Sequence, residues 1–141
     1  MESLRAEFSD IACFVKVYVS EAHPVDGWRV YSDIDYCQPT TLAQRAAAAR
    51  RLLLEQPACF PLATRDGDGD DGWVMLVDSM RDEAERLYAA HPERHYVVDP
   101  RGKIAFKGEM GPFGYRPAEL RAFLCSLRQG RDAGSNSIVS T

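Results

Sequence analysis

Two short apolar runs separated by a long helical segment constrain the fold of this chain most strongly. The first run, "CFVKVYV", is rich in valine and aromatic residues and predicts a strand over about residues 12–19. The second, "WVMLVD" (73–78), is continuously apolar, as is typical of a central parallel strand. Between them, "LAQRAAAARRLLLEQ" predicts a helix capped by Thr41. The apolar stripe of this helix consists of Leu42, Ala46, Ala49 and Leu53. Strand, helix and strand in this order favour a parallel sheet.

The second half of the chain predicts a helix, a hairpin and a last helix. Ser79 is a candidate cap for "MRDEAERLYAA", which ends at about Ala90. "HYVVD" and "KIAFKG" predict two strands joined through "PRG", and Pro117 opens the helix "AELRAFLCSLR". With "ESLRAEF", the end of a helix near the amino terminus, the order is α–β–α–β–α–β–β–α. This order indicates an α/β fold, the later part of a thioredoxin-like, three-layer α/β/α sheet that lacks its first strand. We predict one domain over residues 1–128 and a disordered tail over 129–141.

The composition argues against several classes of protein. With 141 residues, of which 45% are hydrophobic, the chain is long enough for one domain with a proper core. Its formal net charge of −4 argues against nucleic acid or an anionic membrane surface as the main partner. No apolar run approaches the ~20 residues of a membrane span, and the first residues, "MESLRAEFSD", are not a signal peptide. We therefore expect the chain as given to be soluble and cytoplasmic.

The four cysteines do not form a recognisable site. Cys13, Cys37, Cys59 and Cys125 include no CxxC pair, and their spacing fits no zinc site. Cys13 and Cys125 lie in apolar surroundings and are expected to pack as small hydrophobic residues. Cys37 lies in the loop "DYCQPTT" and is expected to be exposed, but no basic neighbour is present to lower its pKa. The sequence therefore predicts no catalytic thiol.

The acidic segment "FPLATRDGDGDDG" (60–72) invites comparison with a calcium-binding loop because its aspartates alternate. An EF-hand loop that started at Asp66 would need glycine and glutamate where the chain has Asp71 and Val77. We predict no metal site and interpret the segment as an acidic, mobile surface loop.

Two proton-handling side chains follow the first strand directly, in "EAHPVDGW". Glu21 and His23 lie where the strand meets its loop, which is the edge at which α/β proteins tend to place their chemistry. Strand alternation puts Tyr18 and Ser20 on one side of the chain and Glu21 on the other. An alternative interpretation is that Glu21 caps the following loop and that His23 is an ordinary polar loop residue.

Several segments together resemble one family, the iodothyronine deiodinases. The pieces occur in the family's order from about Glu7 to Leu127, and the most specific are "YVSEAHPVDGW" and "GPFGYRPAELR". The resemblance implies an oxidoreductase that removes iodine from thyroid hormones with a selenocysteine nucleophile, which would lie upstream of Met1. It further implies no bound cofactor, a thiol reductant as co-substrate, an iodothyronine substrate, a homodimer, and a membrane anchor in the full-length protein.

The resemblance also implies roles for particular residues. Tyr18 and Glu21 would belong to the proton relay, His23 would contact the hormone's phenolic hydroxyl or the departing iodine, and Glu93 would clamp the ligand opposite His23. Glu93 could instead be an ordinary solvated carboxylate at the start of a strand. Similarly, "GPFGY" (111–115) could line a slot for iodinated rings or form the turn between hairpin and helix; we favour the turn.

The chain departs from the family pattern at two positions. Pro39 stands where other members have a histidine of the relay, and Met110 stands where some members have a basic residue. Two alternative functions stay open at this point. One is a thiol peroxidase or peroxiredoxin-like oxidoreductase, which would need a cysteine nucleophile upstream; the other is a catalytically inactive fragment that binds ligand or dimerises.

Overall fold

The computed structural model describes residues 1–30, 36–55 and 74–135, and its elements follow the predicted order. The mixed α/β class is therefore confirmed. The helices are α1 (Glu2–Phe8), α2 (Leu42–Glu55), α3 (Glu83–Tyr88) and α4 (Pro117–Ser135). The strands are β1 (Val15–Tyr18), β2 (Val74–Val77), β3 (Tyr96–Val98) and β4 (Ile104–Lys107). The acidic segment 60–72 and Cys59 lie outside the described residues.

The four described strands form two separate two-stranded sheets. β1 and β2 pair in parallel, with Val15 opposite Val74 and Tyr18 opposite Val77. β3 and β4 pair antiparallel, and the turn between them contains Gly102 at a φ of 77°, a conformation that glycine adopts without a steric penalty. The parallel pair and the hairpin are as predicted, but the single sheet is not. Among the described strands, no backbone hydrogen bonds join the β1–β2 pair to the β3–β4 pair, so the pairs form two separate sheets.

The buried core lies between the two terminal helices and the hairpin. Its fully buried side chains are Phe8 of α1 and Leu124 of α4, packed with Leu4 and Leu120. Val97 and Phe106 of the hairpin, among other partly buried residues, pack against this cluster. Each such side chain contributes roughly 1.5–3 kcal/mol when it leaves water, so α1 and α4 are held mainly by these contacts.

The other sheet leaves one apolar face uncovered. Burial alternates along β1 and β2, with alternate side chains half-buried. The other side chains form one exposed stripe because the strands pair in register: Val15, Val17, Val74 and Leu76, which are 47, 45, 44 and 52% exposed. The expectation of a fully buried central strand is therefore wrong for β2 in this chain. Cys13 was expected to pack inside but is exposed, because the same alternation places it on the side of Val15 and Val17.

Helix α2 begins as predicted. Thr41 Oγ1 accepts a hydrogen bond from the Gln44 backbone N–H at 3.2 Å, and Gln44 Oε1 accepts one from the Thr41 N–H at 3.1 Å. This reciprocal pair is a capping box, which satisfies two donors at the start of the helix. Ala49 is buried on the predicted stripe, but Leu42 is 54% exposed because it lies in the first turn, at the open end of the helix.

Two predicted helix boundaries are wrong. Ser79 does not cap the third helix, which begins later, at Glu83. The tail predicted to start at residue 129 is helical as far as Ser135, because α4 continues through Gln129 and Arg131, both good helix formers. Residues 136–141 lie outside the described residues. None of the described helices is both long and apolar enough to cross a membrane.

Candidate active site

The carboxyl ends of β1 and β2 bring two polar segments side by side. Tyr18 and Val77 end the paired strands, and the Asp78 N–H donates to the Tyr18 carbonyl at 2.9 Å, which extends the ladder by one step. Ser20 and Glu21 therefore follow one strand where Asp78 follows its neighbour. Since parallel strands end at the same edge of a sheet, this edge collects the ionisable groups of both.

The side chain of Gln38 holds the loop after β1 through hydrogen bonds to the backbone of that loop. The Glu21 N–H donates to Gln38 Oε1 at 3.0 Å, and Gln38 Nε2 donates to the Glu21 carbonyl at 3.1 Å. The Gln38 N–H in turn donates to Asp26 Oδ1 at 2.9 Å. The side chain and backbone of Gln38, in the next loop, thus close the segment "EAHPVDG". Sequence reasoning missed Gln38, because no local pattern links an amide in the next loop to this strand end.

The carboxyl group of Glu21 is held away from water. The residue is half-buried, and its Oε1 is buried without a hydrogen-bond partner in the described part of the chain. Burial raises the pKa of Glu21, and the nearby Arg45 guanidinium offsets only part of that rise. A carboxyl group with a raised pKa can hold a proton closer to neutral pH, as a general acid requires. The hydrogen bonds that hold the loop are made by the backbone N–H and carbonyl of Glu21. Capping of the loop therefore does not require the Glu21 carboxylate.

An ion pair between the buried Arg45 and the partly exposed Asp82 supports this edge. Arg45 is 2% exposed; its Nη1 donates to the Ser79 carbonyl at 2.6 Å and lies 2.8 Å from Asp82 Oδ1. Arg45 precedes Ala49 by four residues, so both lie on the buried face of α2. That spacing was the signal by which sequence reasoning could have found it.

Asp78 caps α3 with a buried carboxylate. Its oxygens accept the backbone N–H groups of Ser79, Ala84 and Glu85 at 2.8, 3.0 and 2.9 Å. Burial acts to raise the pKa of Asp78, but these three bonds and the charge of Arg45 outweigh it and lower the pKa. Asp78 therefore stays ionised and positions the start of α3 against the end of β1.

His23 is an exposed residue with a fixed orientation. Its Nδ1 lies 3.1 Å from the Trp28 carbonyl oxygen, and its ring meets the Trp28 indole edge-on at 5.2 Å between centroids. A carbonyl can only accept, so Nδ1 carries the hydrogen. The Nε2 atom is then an acceptor in the neutral ring and a donor in the charged one. Trp28 is itself 78% exposed, so the pair offers an aromatic surface beside an imidazole nitrogen.

Tyr18 lies at the end of β1 with a buried hydroxyl group. Tyr18 Oη has no hydrogen-bond partner in the described residues, and Glu21 Oε1 has none either, so these two atoms are not bonded to each other. The structure therefore brings Tyr18 and Glu21 to one strand end without joining these two atoms in a relay.

Glu93 is packed against the turn before α4. Its carbonyl accepts the Gly111 N–H at 2.9 Å, and a side chain at Gly111 would place Cβ only 2.2 Å from Glu93 Oε1. Residues 111–114 form a turn, as the favoured interpretation of "GPFGY" predicted, and Phe113 is 96% exposed. Burial raises the pKa of Tyr115, and the charge of Glu93 raises it further. Gly111 therefore makes room for the Glu93 carboxylate, beside Tyr115.

The two departures from the family pattern differ in their setting. Pro39 is buried next to Gln38, and Met110 is 49% exposed beside the turn that holds Glu93. Within residues 1–30, 36–55 and 74–135, no three His, Cys, Asp or Glu side chains are grouped as metal ligands would be.

Comparison with known proteins shows the family to which the chain belongs. The sequence model of the family described as iodothyronine deiodinase matches residues 1–128. A type I iodothyronine deiodinase of Xenopus laevis is 36% identical over 118 residues, which cover 84% of this chain and 41% of the relative. A thyroxine 5-deiodinase of Gallus gallus is 40% identical over 123 residues, 86% of this chain and 42% of the relative. One of Aquarana catesbeiana is 35% identical over 140 residues, 98% of this chain and 46% of the relative. The chain thus spans less than half the length of these relatives, and by sequence it belongs to the iodothyronine deiodinase family.

Proposed function

We propose that this chain forms the proton-handling and substrate-contacting part of an enzyme that removes iodine reductively from iodothyronines, in thyroid hormone metabolism. The observation that carries the proposal is the pairing on one loop of a half-buried Glu21, whose pKa is raised, with an oriented His23. Family membership supports the same chemistry, since the relatives are named as deiodinases of iodothyronine or thyroxine. A carboxyl group and an imidazole within three residues are suited to proton transfer.

The reaction needs a nucleophile, a proton and a reductant. A selenolate, supplied by a selenocysteine upstream of Met1, gives an electron pair to iodine and forms a selenium–iodine bond. The aromatic carbon keeps the electron pair of the broken carbon–iodine bond and takes a proton. Two thiol groups of the co-substrate then reduce the selenium–iodine species, which releases iodide, a proton and a disulfide and regenerates the selenol. The described residues supply the proton and hold the substrate.

Each candidate residue has a separate task. His23 Nε2 contacts the phenolic oxygen or the departing iodine, because Nδ1 is committed to the Trp28 carbonyl. Glu21 holds the proton, since burial favours its neutral form. Tyr18, whose hydroxyl group is not bonded to Glu21 Oε1, is the other proposed member of the relay. Glu93 clamps a remote, positively charged part of the ligand, which its position against Gly111 allows it to do without disturbing the turn.

The open sheet edges support the thioredoxin-like fold as part of the proposal. Among the described strands, β1 bonds only to β2 and β3 only to β4, so each has an edge available for a further strand. We place the first strand of the fold there, supplied by sequence upstream of Met1, as the greater length of the relatives allows. Without it, an exposed edge pairs readily with another copy, so we propose a homodimer formed through β1. The membrane anchor of the full-length protein is likewise placed upstream.

A restored enzyme tests this function. The reading frame is extended upstream to include the nucleophile, and iodide release from a labelled iodothyronine is measured with a dithiol present. The proposal expects release by the extended protein and none by the variant with serine at the nucleophile. The 141-residue chain should release none, because the proposed nucleophile lies upstream of it. Turnover of peroxide in place of iodothyronine by the extended protein would instead support a thiol peroxidase.

A further inference from the structure

Three polar side chains from distant parts of the chain meet at Ser20, the residue that precedes Glu21. Ser20 Oγ donates a short hydrogen bond to Glu85 Oε2, and the Ser20 backbone N–H lies 3.3 Å from the same oxygen. His91 Nδ1 lies 3.4 Å from Ser20 Oγ and 3.9 Å from Glu85 Oε2. Ser20 follows β1, Glu85 lies in the first turn of α3, and His91 follows that helix. None of these contacts is visible in the sequence pattern.

The chemistry of the three groups gives the cluster a direction. An ionised carboxylate only accepts hydrogen bonds, so the single hydroxyl proton of Ser20 points to Glu85. The lone pairs of Ser20 Oγ are then available for a donor, and the one at hand is a hydrogen on His91 Nδ1. His91 Nδ1–H therefore donates to Ser20 Oγ, and Ser20 Oγ–H donates to Glu85 Oε2. Such an order allows a proton to pass from the imidazole to the carboxylate through the hydroxyl group.

The two ends of the cluster differ in their exposure to solvent. The side chain of His91 is 41% exposed and that of Glu85 only 22% exposed, so His91 is the more accessible end. Ser20 is the direct neighbour of Glu21, and His91 precedes Glu93 by two residues. Imidazole is the side chain whose ordinary pKa allows it to gain and lose a proton near neutral pH. The cluster thus has an exposed imidazole at one end and a largely buried carboxylate at the other, and its middle residue adjoins Glu21 in the chain.

We propose that His91, Ser20 and Glu85 form a proton-entry path, which replaces the proton consumed each time carbon–iodine becomes carbon–hydrogen. This inference rests on the proposed function. In one cycle the His91 imidazolium gives its Nδ1 proton to Ser20 Oγ while the Ser20 proton passes to Glu85 Oε2. His91, which had taken its second proton from water at Nε2, is left neutral with hydrogen on Nε2. Exchange with water then returns the hydrogen to Nδ1, the resting form, and the path is reset. The net change is one proton moved from solvent to Glu85, with no change of oxidation state.

Other charged groups surround the path. The Asp78 carboxylate binds the backbone N–H of Glu85, on the helix that carries the inner end of the path. The Arg94 guanidinium bonds the Gly108 carbonyl at 2.7 Å and the Ala89 carbonyl at 3.4 Å, two residues before His91. Asp78 and Arg94 are thus charged neighbours of the path.

The first test is a kinetic one on the extended, nucleophile-containing protein. Iodide release is measured over many turnovers with a dithiol present, because each cycle consumes one proton that the path must replace. His91→Gln and Ser20→Ala should each lower its rate at neutral pH by at least about tenfold with little change in KM, as expected for loss of a proton donor. The rate of His91→Gln should also depend less on pH near neutrality than the wild-type rate does. Added imidazole should restore His91→Ala but not Ser20→Ala, and Ser20→Thr, which keeps the hydroxyl group, should stay near the wild-type rate.

A matched control and a second measurement separate this inference from the proposed function. Glu83→Gln removes an exposed carboxylate from the same helix turn and should leave the rate unchanged, whereas Glu85→Gln should lower it. In the 141-residue chain, long-range proton–nitrogen NMR should find neutral His91 with its hydrogen on Nδ1, a preference that Ser20→Ala abolishes. The path would be overturned if neutral His91 carries its hydrogen on Nε2, or if His91→Gln has the pH profile of the wild type. It would also be overturned if His91→Ala is slow and added imidazole does not restore its rate. Absence of iodide release by the extended wild type would overturn the proposed function whatever the NMR result.

Discussion

Replacing Asp78 by alanine should destabilise the protein more than most single changes. The change leaves three backbone donors, those of Ser79, Ala84 and Glu85, without the carboxylate that now accepts them. An unpaired buried donor costs about 1–3 kcal/mol, so the low end of that range gives a loss of about 3 kcal/mol in the free energy of unfolding. For a chain of this size the loss corresponds to a fall of about 10 °C in Tm, measured by circular dichroism at neutral pH.

The chemistry of the side chain predicts a graded series and a pH dependence. Asp78→Asn keeps an oxygen for the two N–H groups bound to Oδ1 and should lose roughly half as much stability as Asp78→Ala. Because the pKa of Asp78 is lowered in the folded state, its contribution is present above the ordinary value of 3.8 and is lost as pH falls through the lower folded value. The difference between wild type and Asp78→Ala should therefore shrink in acid. A Tm for Asp78→Ala within about 2 °C of wild type at neutral pH would refute this reasoning, with Glu83→Ala as the exposed control.

Three further predictions follow from the packing around the candidate site. Glu21→Gln should raise Tm at pH 8 but not at pH 4, because the raised pKa of Glu21 means that its charged form destabilises the folded state as pH rises above the ordinary value of 4.5. A Tm at pH 8 equal to or below that of the wild type would count against this. Gly111→Ala should leave stability nearly unchanged, since the flexible end of the Glu93 side chain can move away from the added methyl group. Because this displaces the Glu93 carboxylate, the variant should raise KM as Glu93→Ala does, and an unchanged KM would contradict the proposed role of Glu93 in binding. Val17→Thr with Leu76→Thr should reduce self-association of the 141-residue chain in sedimentation experiments, whereas persistence of the dimer would show that this apolar face is not involved.

The order of elements could be predicted from the sequence because it depends on local periodicity. The alternation in "CFVKVYV", the Thr41 and Gln44 capping pair, and the proline at the start of α4 all act within a few residues. The parallel pairing of β1 and β2 followed from the helix between them. For the same reason the sequence could place Glu21 and His23 at a strand end.

The contacts that build the site could not be predicted in this way. Asp78 caps a helix whose first bonded N–H groups lie six and seven residues ahead, beyond a left-handed residue at Asp82, so no standard cap spacing applies. Gln38 is joined to Glu21 across the loop between them. The exposure of Cys13 depends on what covers the sheet, and composition alone carries no information about that.

The central claim is that the loop after β1 forms the chemical edge of the sheet, and His23 tests it most directly. Iodide release is measured in a single turnover for the extended protein and for His23→Ala, with Tm recorded for both. The account predicts a fall in rate of at least about tenfold, since loss of a proton-transferring or ligand-orienting group typically costs ~10²-fold or more, and it predicts an unchanged Tm because His23 is exposed. A rate for His23→Ala within about twofold of the wild type would contradict the assignment of this loop as the active edge.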